Sequence, residues 1–497
     1  MLRNFIFLVF FMGTWVLCSQ ENIFLQRAFW QANPTIAQVE AAIAEGNDIT
    51  ELNGNLFDGA CYALLENVDN TTIQHILSKK GNGVDKMTHD GRTYMFWAAY
   101  RGNLDMMEWL VQRGAKCDIE DAHGNNIINF AANAGQRDTA LYDFLLGHGA
   151  DINSTTRSGA NALLLVSSSA TDFNILTYFN KKGLSMQSVD AAGNGIFQYA
   201  AKGGNISFLK DLVAKGVATN TYNAKGENAL FMAARGTRSK QNHKAVFDYL
   251  MGLGLEPDIV STDGSTLLHY LSGKNKDVAL YKDLINSGLK ADLANKEGTT
   301  PLMMAARSND LAIVSLLASH TKNINLQDKK GQSALTMAVA RNEPAVVDFL
   351  LSKDADHTVV DTKGNTLAYY LVQSYDPKKP EPFEEKLASL TKAGVQLQMP
   401  QHNGNSLLHV AAKDNNLSLL KRLATFNMDI NQKNDEGNTV LHLAAMSTGN
   451  TEVLEYLISQ GADVAVKTEF QETVYDLAKE NELLQGKATE LDFLKSE

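Results

Sequence analysis

Eleven glycines impose a period on this chain: Gly91, Gly124, Gly159, Gly193, Gly226, Gly264, Gly298, Gly331, Gly364, Gly404 and Gly437. Successive members lie 33 to 35 residues apart, apart from one gap of 38 and one of 40. An apolar cluster follows each glycine, as in "GTTPLMMAA", "GNSLLHVAA" and "GNTVLHLAA", and a second cluster such as "VLEYLISQGAD" completes the repeat. A segment this short cannot bury two apolar faces alone, so each must stack on its neighbours. Repetition also answers the length problem, because 497 residues exceed what one ordinary core organises.

One repeat, Lys296 to His320, shows the local logic. Gly298 supplies a turn that needs a permissive backbone. Thr300 stands at an N-cap and Pro301 at the first helical position, where its missing N–H costs nothing. Leu302, Ala305 and Ala306 form one apolar stripe. Asn309 and Asp310 break this helix, and Leu311 to Ala318 form a second with Ile313, Leu316 and Leu317 inward. Most second helices end at a glycine suited to a left-handed position: Gly114, Gly149, Gly183, Gly216, Gly254, Gly288, Gly394 and Gly461. Asn427 substitutes in one repeat, whereas Thr321 and Asp354 depart from the rule and predict frayed helix ends.

These stretches, with "HGADIN", resemble the ankyrin repeat, whose T-P-L-H-x-A pattern and 33-residue period they match. The resemblance implies an all-α solenoid of about 12–13 helix pairs, antiparallel within each pair, with short β-hairpin fingers and a concave face. It covers most of the chain from about residue 55 onward. The expected organisation is a leader at 1–19, capping helices at 20–54, a repeat array at 55–468 and a closing unit at 469–497. Phe24, Phe29, Trp30, Ile36, Val39 and Ile43 are the expected core of the first cap. The repeats beginning at Gly159 and Gly364 match least well in their first helices.

Composition excludes several alternatives. Hydrophobic residues at 44% and charged residues at 20% are globular values, and only 8 prolines interrupt the chain. Before the repeats, Arg3 precedes an apolar run from Phe5 to Cys18, too short to span a bilayer but suited to a signal peptide. Cleavage near Gln20 would send an exported, bacterial protein to the periplasm. Secretion, an uncleaved anchor, or lipidation at Cys18 are the alternatives, the last weakened by Leu17. The formal net charge of −11 gives no global attraction to nucleic acid. Two further cysteines, Cys61 and Cys117, fall about two repeats apart, beyond disulfide reach, and are expected as free, mostly buried thiols.

Chemistry is weighed against architecture at the histidines. His269, His409 and His442 each lie three residues after Thr266, Ser406 and Thr439, where a side chain answers the N-cap. Equivalent positions in stacked helices sit roughly 10 Å apart, too far for one metal. Phe96, Met303 and Tyr369 fill the same slot elsewhere. No nucleophile elbow, P-loop or zinc-protease motif is present, and no cofactor or metal is expected.

The family likeness places partner contacts on finger tips and just after the alanine pair. Those positions hold Tyr100, Arg101, Lys202, Arg235, Lys274, Arg307, Arg341 and Lys413, with Met446 in the last repeat. Finger positions add Lys225, Lys296, Lys329, Lys330 and Lys363, diluted by Asp263, Glu297, Asp435 and Glu436. A basic stripe on an acidic protein would favour an anionic partner; the bland reading is that such residues are common at these slots. Insertions at Thr237–Lys244 and Ser374–Phe383 fall between the helices of a repeat, either as contact surfaces or as neutral additions. The resulting expectation is a non-enzymatic protein-binding scaffold with no nucleic-acid partner. The alternative is an extracytoplasmic enzyme or inhibitor holding a peptide or anionic sugar in the concave groove.

Overall fold

The computed structural model describes residues 21–484 and 488–495, so the leader and Cys18 lie outside the described residues. The chain divides into two compact units, Met1–Val217 and Ala218–Glu497. No linker composition marks this division, which falls inside a repeat.

The first unit opens with Arg27–Gln31 and Ile36–Ala44. Thr35 and Gln38 form a capping box at the second of these helices. Phe24, Trp30 and Val39 are fully buried, and the Trp30 indole donates to the Phe24 carbonyl at 2.9 Å. Ile36 departs from expectation: it sits in the first turn, 38% exposed. Five helix pairs follow, with first helices Gly59–Leu65, Tyr94–Arg101, Ile127–Asn133, Ala162–Ser167 and Ile196–Gly203 packed each against the next. Small residues set that approach. A Cβ built on Gly203 would overlap the Ser168 carbonyl oxygen.

Seven pairs make up the second unit, their first helices being Ala229–Arg235, Leu267–Ser272, Pro301–Ser308, Ala334–Arg341, Leu367–Val372, Leu407–Lys413 and Val440–Ser447. Each again packs on its successor, and Val474–Glu480 closes the stack. Leu302, Ala305, Ala306, Leu335 and Ala338 are at most 1% exposed, so the apolar stripe read from the sequence is the inter-helix core. The weakly matching first helices, Ala162–Ser167 and Leu367–Val372, are six residues long.

All eight glycines expected after second helices take positive φ, and Asn427 does so at 50°. The two exceptions do not fray. Asp354 itself adopts φ 57°, and the Ala355 N–H reaches the Leu350 carbonyl at 3.1 Å. Thr321 covers its helix end by donating its hydroxyl to the Leu317 carbonyl at 2.8 Å. Asp and the β-branched hydroxyl thus supply what glycine supplies elsewhere.

The fingers are narrower than the hairpins expected. Among the described residues they carry isolated bridges only, Thr88 with Arg92, Glu120 with Asn126 and Val260 with Thr266. An Asp or Asn three residues before the glycine closes seven of the eleven turns locally, and Thr88, Thr156, Ser261 and Gln401 hold that slot in the others. Asp361 Oδ1, for example, accepts the N–H groups of Lys363 and Asn365, both at 2.9 Å. One backbone bond then ties finger to finger, as from the Thr362 N–H to the Lys330 carbonyl at 2.9 Å. A turn that satisfies its own donors leaves little backbone for a ladder.

The two insertions differ. Thr237–Lys244 is a loop as far as His243, which caps the helix Lys244–Gly252, and it is pinned where the Asn242 side chain donates to the Ala233 carbonyl at 3.0 Å. Ser374–Phe383 runs instead into a 13-residue helix, Glu381–Ala393, with Phe383 buried against Tyr375. Lys386 of this helix is buried and donates to the Val339 carbonyl at 3.0 Å. Burial lowers its pKa.

Candidate partner-binding site

The second unit contains a groove of about 640 Å³ lined by the helices Pro301–Ser308, Ala334–Arg341 and Leu367–Val372 and by two fingers. Arg307 and Arg341 both lie in the last turn of successive first helices, one position apart in repeat register because Arg341 matches Ser308, and a cation there complements the helix end. Lys330 and Lys363 reach it from the fingers, and Met337, Ala340 and Tyr369 supply apolar wall. Both arginines are exposed, and no described acidic side chain pairs with either. Lys329, one residue from the groove, is spent differently, 3.5 Å from Glu297 at the surface.

Asp361 is the groove's carboxylate, and it is saturated. Its Oδ2 accepts from the Tyr370 hydroxyl at 2.6 Å and from Asn365 Nδ2 at 3.0 Å. Gln332 Nε2 in turn donates to the Tyr370 hydroxyl at 3.0 Å. Burial pulls the Asp361 pKa upward, but these donors and the finger N–H groups outweigh it and hold the carboxyl below its ordinary value. The group therefore stays ionised at neutral pH without neutralising the arginines by contact.

The structure brings together only two of the residues singled out after the alanine pair, Arg307 and Arg341. Arg235 is committed internally: it reaches Glu227 Oε2 at 2.7 Å and lies 4.6 Å above the Tyr270 ring. Tyr270 donates to the other Glu227 oxygen at 2.6 Å. Burial opposes ionisation of Glu227, and the bonds from Tyr270, Arg235 and Asn223 override it, lowering its pKa. Lys274 and Lys413 are exposed outside the groove, as is Met446. In the first unit, Arg101 Nε donates to Asn67 Oδ1 at 2.9 Å, while Lys202 is half-buried in the last turn of its helix.

Tyr100 belongs to a feature that repeat position alone does not reveal, a strip of half-buried aromatic rings around the buried Trp97 in the first unit. Phe57 stacks on His89 with centroids 4.4 Å apart and meets Tyr62 and Trp97, both at 5.5 Å. Phe130 then joins Trp97 at 5.9 Å and Tyr100 at 5.8 Å. Arg92 lies across Phe130 at 4.5 Å, and its guanidinium binds Asp121 at 2.7 Å and Asp90 at 3.0 Å. Arg92 stands directly after the finger glycine, the slot held by Glu227 and Gln332 in the second unit. That change of residue type was the available signal.

The histidines are architectural, as their spacing implied. In His269, His409 and His442, Nδ1 accepts the N–H of the capping residue at 3.0, 3.2 and 3.0 Å. The hydrogen therefore sits on Nε2, which donates to Thr299, Asn438 and Val466 carbonyls at 3.0, 3.1 and 3.0 Å. This second bond, to the following repeat or its loop, went unread in the sequence. Burial lowers the pKa of all three. Cys61 and Cys117 are free and buried, and burial raises both thiols, Cys117 to about 11. Among the described residues, no group of three His, Cys, Asp or Glu is arranged to hold a metal, and no helix is long and apolar enough to cross a membrane.

Stacked helix pairs joined by glycine-turned fingers define a repeat-protein scaffold. The family model for ankyrin repeats, in blocks of three copies, matches residues 60–156, 237–328, 268–361 and 364–468, and the chain belongs to the ankyrin-repeat family. The putative ankyrin repeat protein FPV031 of Fowlpox virus (strain NVSL) is 26% identical over 171 residues, 33% of this chain and 49% of that protein. Protein phosphatase 1 regulatory subunit 27 of Mus musculus is 39% identical over 69 residues, 14% of this chain and 44% of that protein. The chain thus spans about half or less of the length of these curated relatives. A solved structure of the Bd0816 predatory endopeptidase from Bdellovibrio bacteriovorus in complex with immunity protein Bd3460 matches at 29% identity and a TM-score of 0.34. That match covers 41% of this chain and 100% of the other.

Proposed function

We propose that this protein is a non-enzymatic scaffold that binds a protein partner through the first-helix and finger surface of its second unit. The observation that carries the reading is the pair Arg307 and Arg341, exposed in a formed groove and unpaired by any described acid. Ankyrin repeats imply protein binding as a class, and a cationic groove on a chain of net charge −11 steers toward a partner with an anionic surface. The fold supplies rigid helices underneath and variable side chains above, so complementarity replaces chemistry as the mechanism.

Export belongs to the same proposal and rests on Arg3 and the apolar run Phe5–Cys18. The working compartment would then be extracytoplasmic, a periplasm. Mass spectrometry of the mature N-terminus is expected to find a start near Gln20. An intact Met1, or a lipidated Cys18, would contradict that part. For the binding reading, affinity capture with the full chain is compared with an Arg307→Glu/Arg341→Glu variant. The variant is expected to lose the captured protein, and equal recovery would contradict the reading.

A further inference from the structure

The last carbonyls of a helix have no N–H of their own helix to accept from, so each first helix needs a donor from elsewhere. Four times in the second unit the carbonyl eight residues after the finger glycine finds it in the following repeat. Asn309 Nδ2 donates to Ser272 and Asn342 Nδ2 to Ala306, both at 2.9 Å. Ser447 Oγ donates to Ala412 at 3.2 Å and Asn481 Nδ2 to Ala445 at 2.9 Å. The repeat with the longer insertion breaks this pattern: Tyr375 stands where Asn309 and Asn342 stand, eleven residues after the glycine. The carbonyl left without its asparagine is that of Val339. The Glu343 N–H, four residues on, is turned to Asn342 Oδ1 at 2.8 Å, and the bond to Val339 comes from the Lys386 ammonium at 3.0 Å.

We propose that Lys386 is a positioning residue of the groove, restoring from the inserted helix the tie between repeats that the insertion displaced. Val339 lies between Met337 and the pair Ala340 and Arg341, all of them lining, whereas Lys386 is outside the lining. A lysine is almost never fully buried without a partner, and this one is 4% exposed with its charge at a helix C-terminus, the end that favours a cation. Its own helix is fixed beside it. Phe383 meets Tyr375 edge-on with centroids 5.1 Å apart, and Glu384 holds Arg422 through two bonds at 2.6 and 2.8 Å. The segment Ser374–Phe383 therefore acts on binding without touching what is bound: it sets the wall that presents Arg341.

This inference rests on the scaffold reading, and its test separates the two. Fluorescence anisotropy follows a labelled decaglutamate, an anionic probe of the groove, binding the full chain. Lys386→Met keeps an apolar stem without the donor and is expected to weaken binding about fivefold, as a site loses affinity when its support loosens. Asn481→Ala removes the same kind of tie far from the groove and should stay within about twofold. Both lower the melting temperature, so stability alone does not separate them. Lys386→Gln, which offers the amide used in the other repeats, is expected to recover part of the loss. Hydrogen exchange over Ala334–Arg341 should quicken about tenfold in Lys386→Met and not in Asn481→Ala. Unchanged affinity in Lys386→Met, equal losses in Lys386→Met and Asn481→Ala, or no recovery with glutamine would overturn the inference. Should Arg307→Gln/Arg341→Gln lose the probe while Lys386→Met keeps it, the inference fails and the scaffold reading stands. A probe that the intact chain ignores, or that the arginine variant binds equally, removes the anionic groove and the inference with it.

Discussion

Arg92 in the first unit and Arg307 and Arg341 in the second belong to the same repeat architecture and meet opposite fates. Arg92 is 8% exposed, held by two aspartates and laid across aromatic rings. Arg307 and Arg341 lie a helix further on, exposed and unpaired by described acids. The aromatic strip is closed on itself, whereas the groove has interactions left to make. A periodic stripe of cations is therefore not a binding surface in itself; internal pairing decides which members remain available. Arg235 makes the point within the second unit, where Glu227 and Tyr270 have already claimed it.

The largest expected effect breaks the closed side of this contrast. Arg92→Met strands Asp121, whose side chain is fully buried, and should cost about 3 kcal/mol. Arg307→Met should stay within about 0.5 kcal/mol, as surface changes do. Trp30, Trp97 and Trp109 all lie in the first unit, and no tryptophan lies in the second, so urea unfolding followed by tryptophan emission isolates the first effect. Equal shifts for the two variants would erase the distinction.

Packing in the same unit gives the next effect. Gly203→Ala must displace the Ser168 backbone, and overpacking of this kind costs about 2 kcal/mol. The same emission-monitored titration reads it, and a neutral result would mean the helices separate freely there.

The second unit has its own vulnerability, in its buried histidines. Their folded pKa values lie below the ordinary one, so the unfolded chain binds more protons as pH drops. Stability from this source is complete above about pH 6.5 and declines as pH falls below it toward the lowered folded values. Hydrogen exchange in peptides from Ala218 onward should show weaker protection at about pH 5 than at about pH 7. His442→Met should remove part of that dependence, because Met303 already fills the equivalent slot. Unchanged dependence in the variant would assign it elsewhere. Of the changes expected to destabilise, Glu227→Gln is the smallest, costing about 1 kcal/mol and releasing Arg235 as a further exposed cation. An unaltered salt dependence of partner binding would show that Arg235 lies outside the contact surface.

What could be read in the sequence was local or periodic. The glycine ladder, the left-handed glycines after second helices and the histidine caps each depend on residues within one repeat, and the structure places them as expected. Closure of the helix ends at Thr321 and Asp354 was misjudged because a threonine hydroxyl and an aspartate backbone can do a glycine's work. The pairing of Glu227 with Tyr270 spans 43 positions and joins different repeats, so no local pattern announces it. The groove was half legible. Its arginines and finger lysines were picked out by position, while Gln332 reaches Tyr370 from the preceding repeat, 38 positions away, and Tyr370 in turn holds Asp361.

The central claim is that availability within the formed groove, not the repeat position alone, selects the binding cations. Its most direct test is titration calorimetry of the captured partner against the full chain in two double variants. Arg307→Glu/Arg341→Glu is expected to weaken binding at least about 30-fold, since each reversal replaces a charge-assisted contact with repulsion. Lys274→Glu/Lys413→Glu, reversing exposed cations outside the groove, should stay within about twofold. Equal losses in the two variants, or none in the first, would contradict the account.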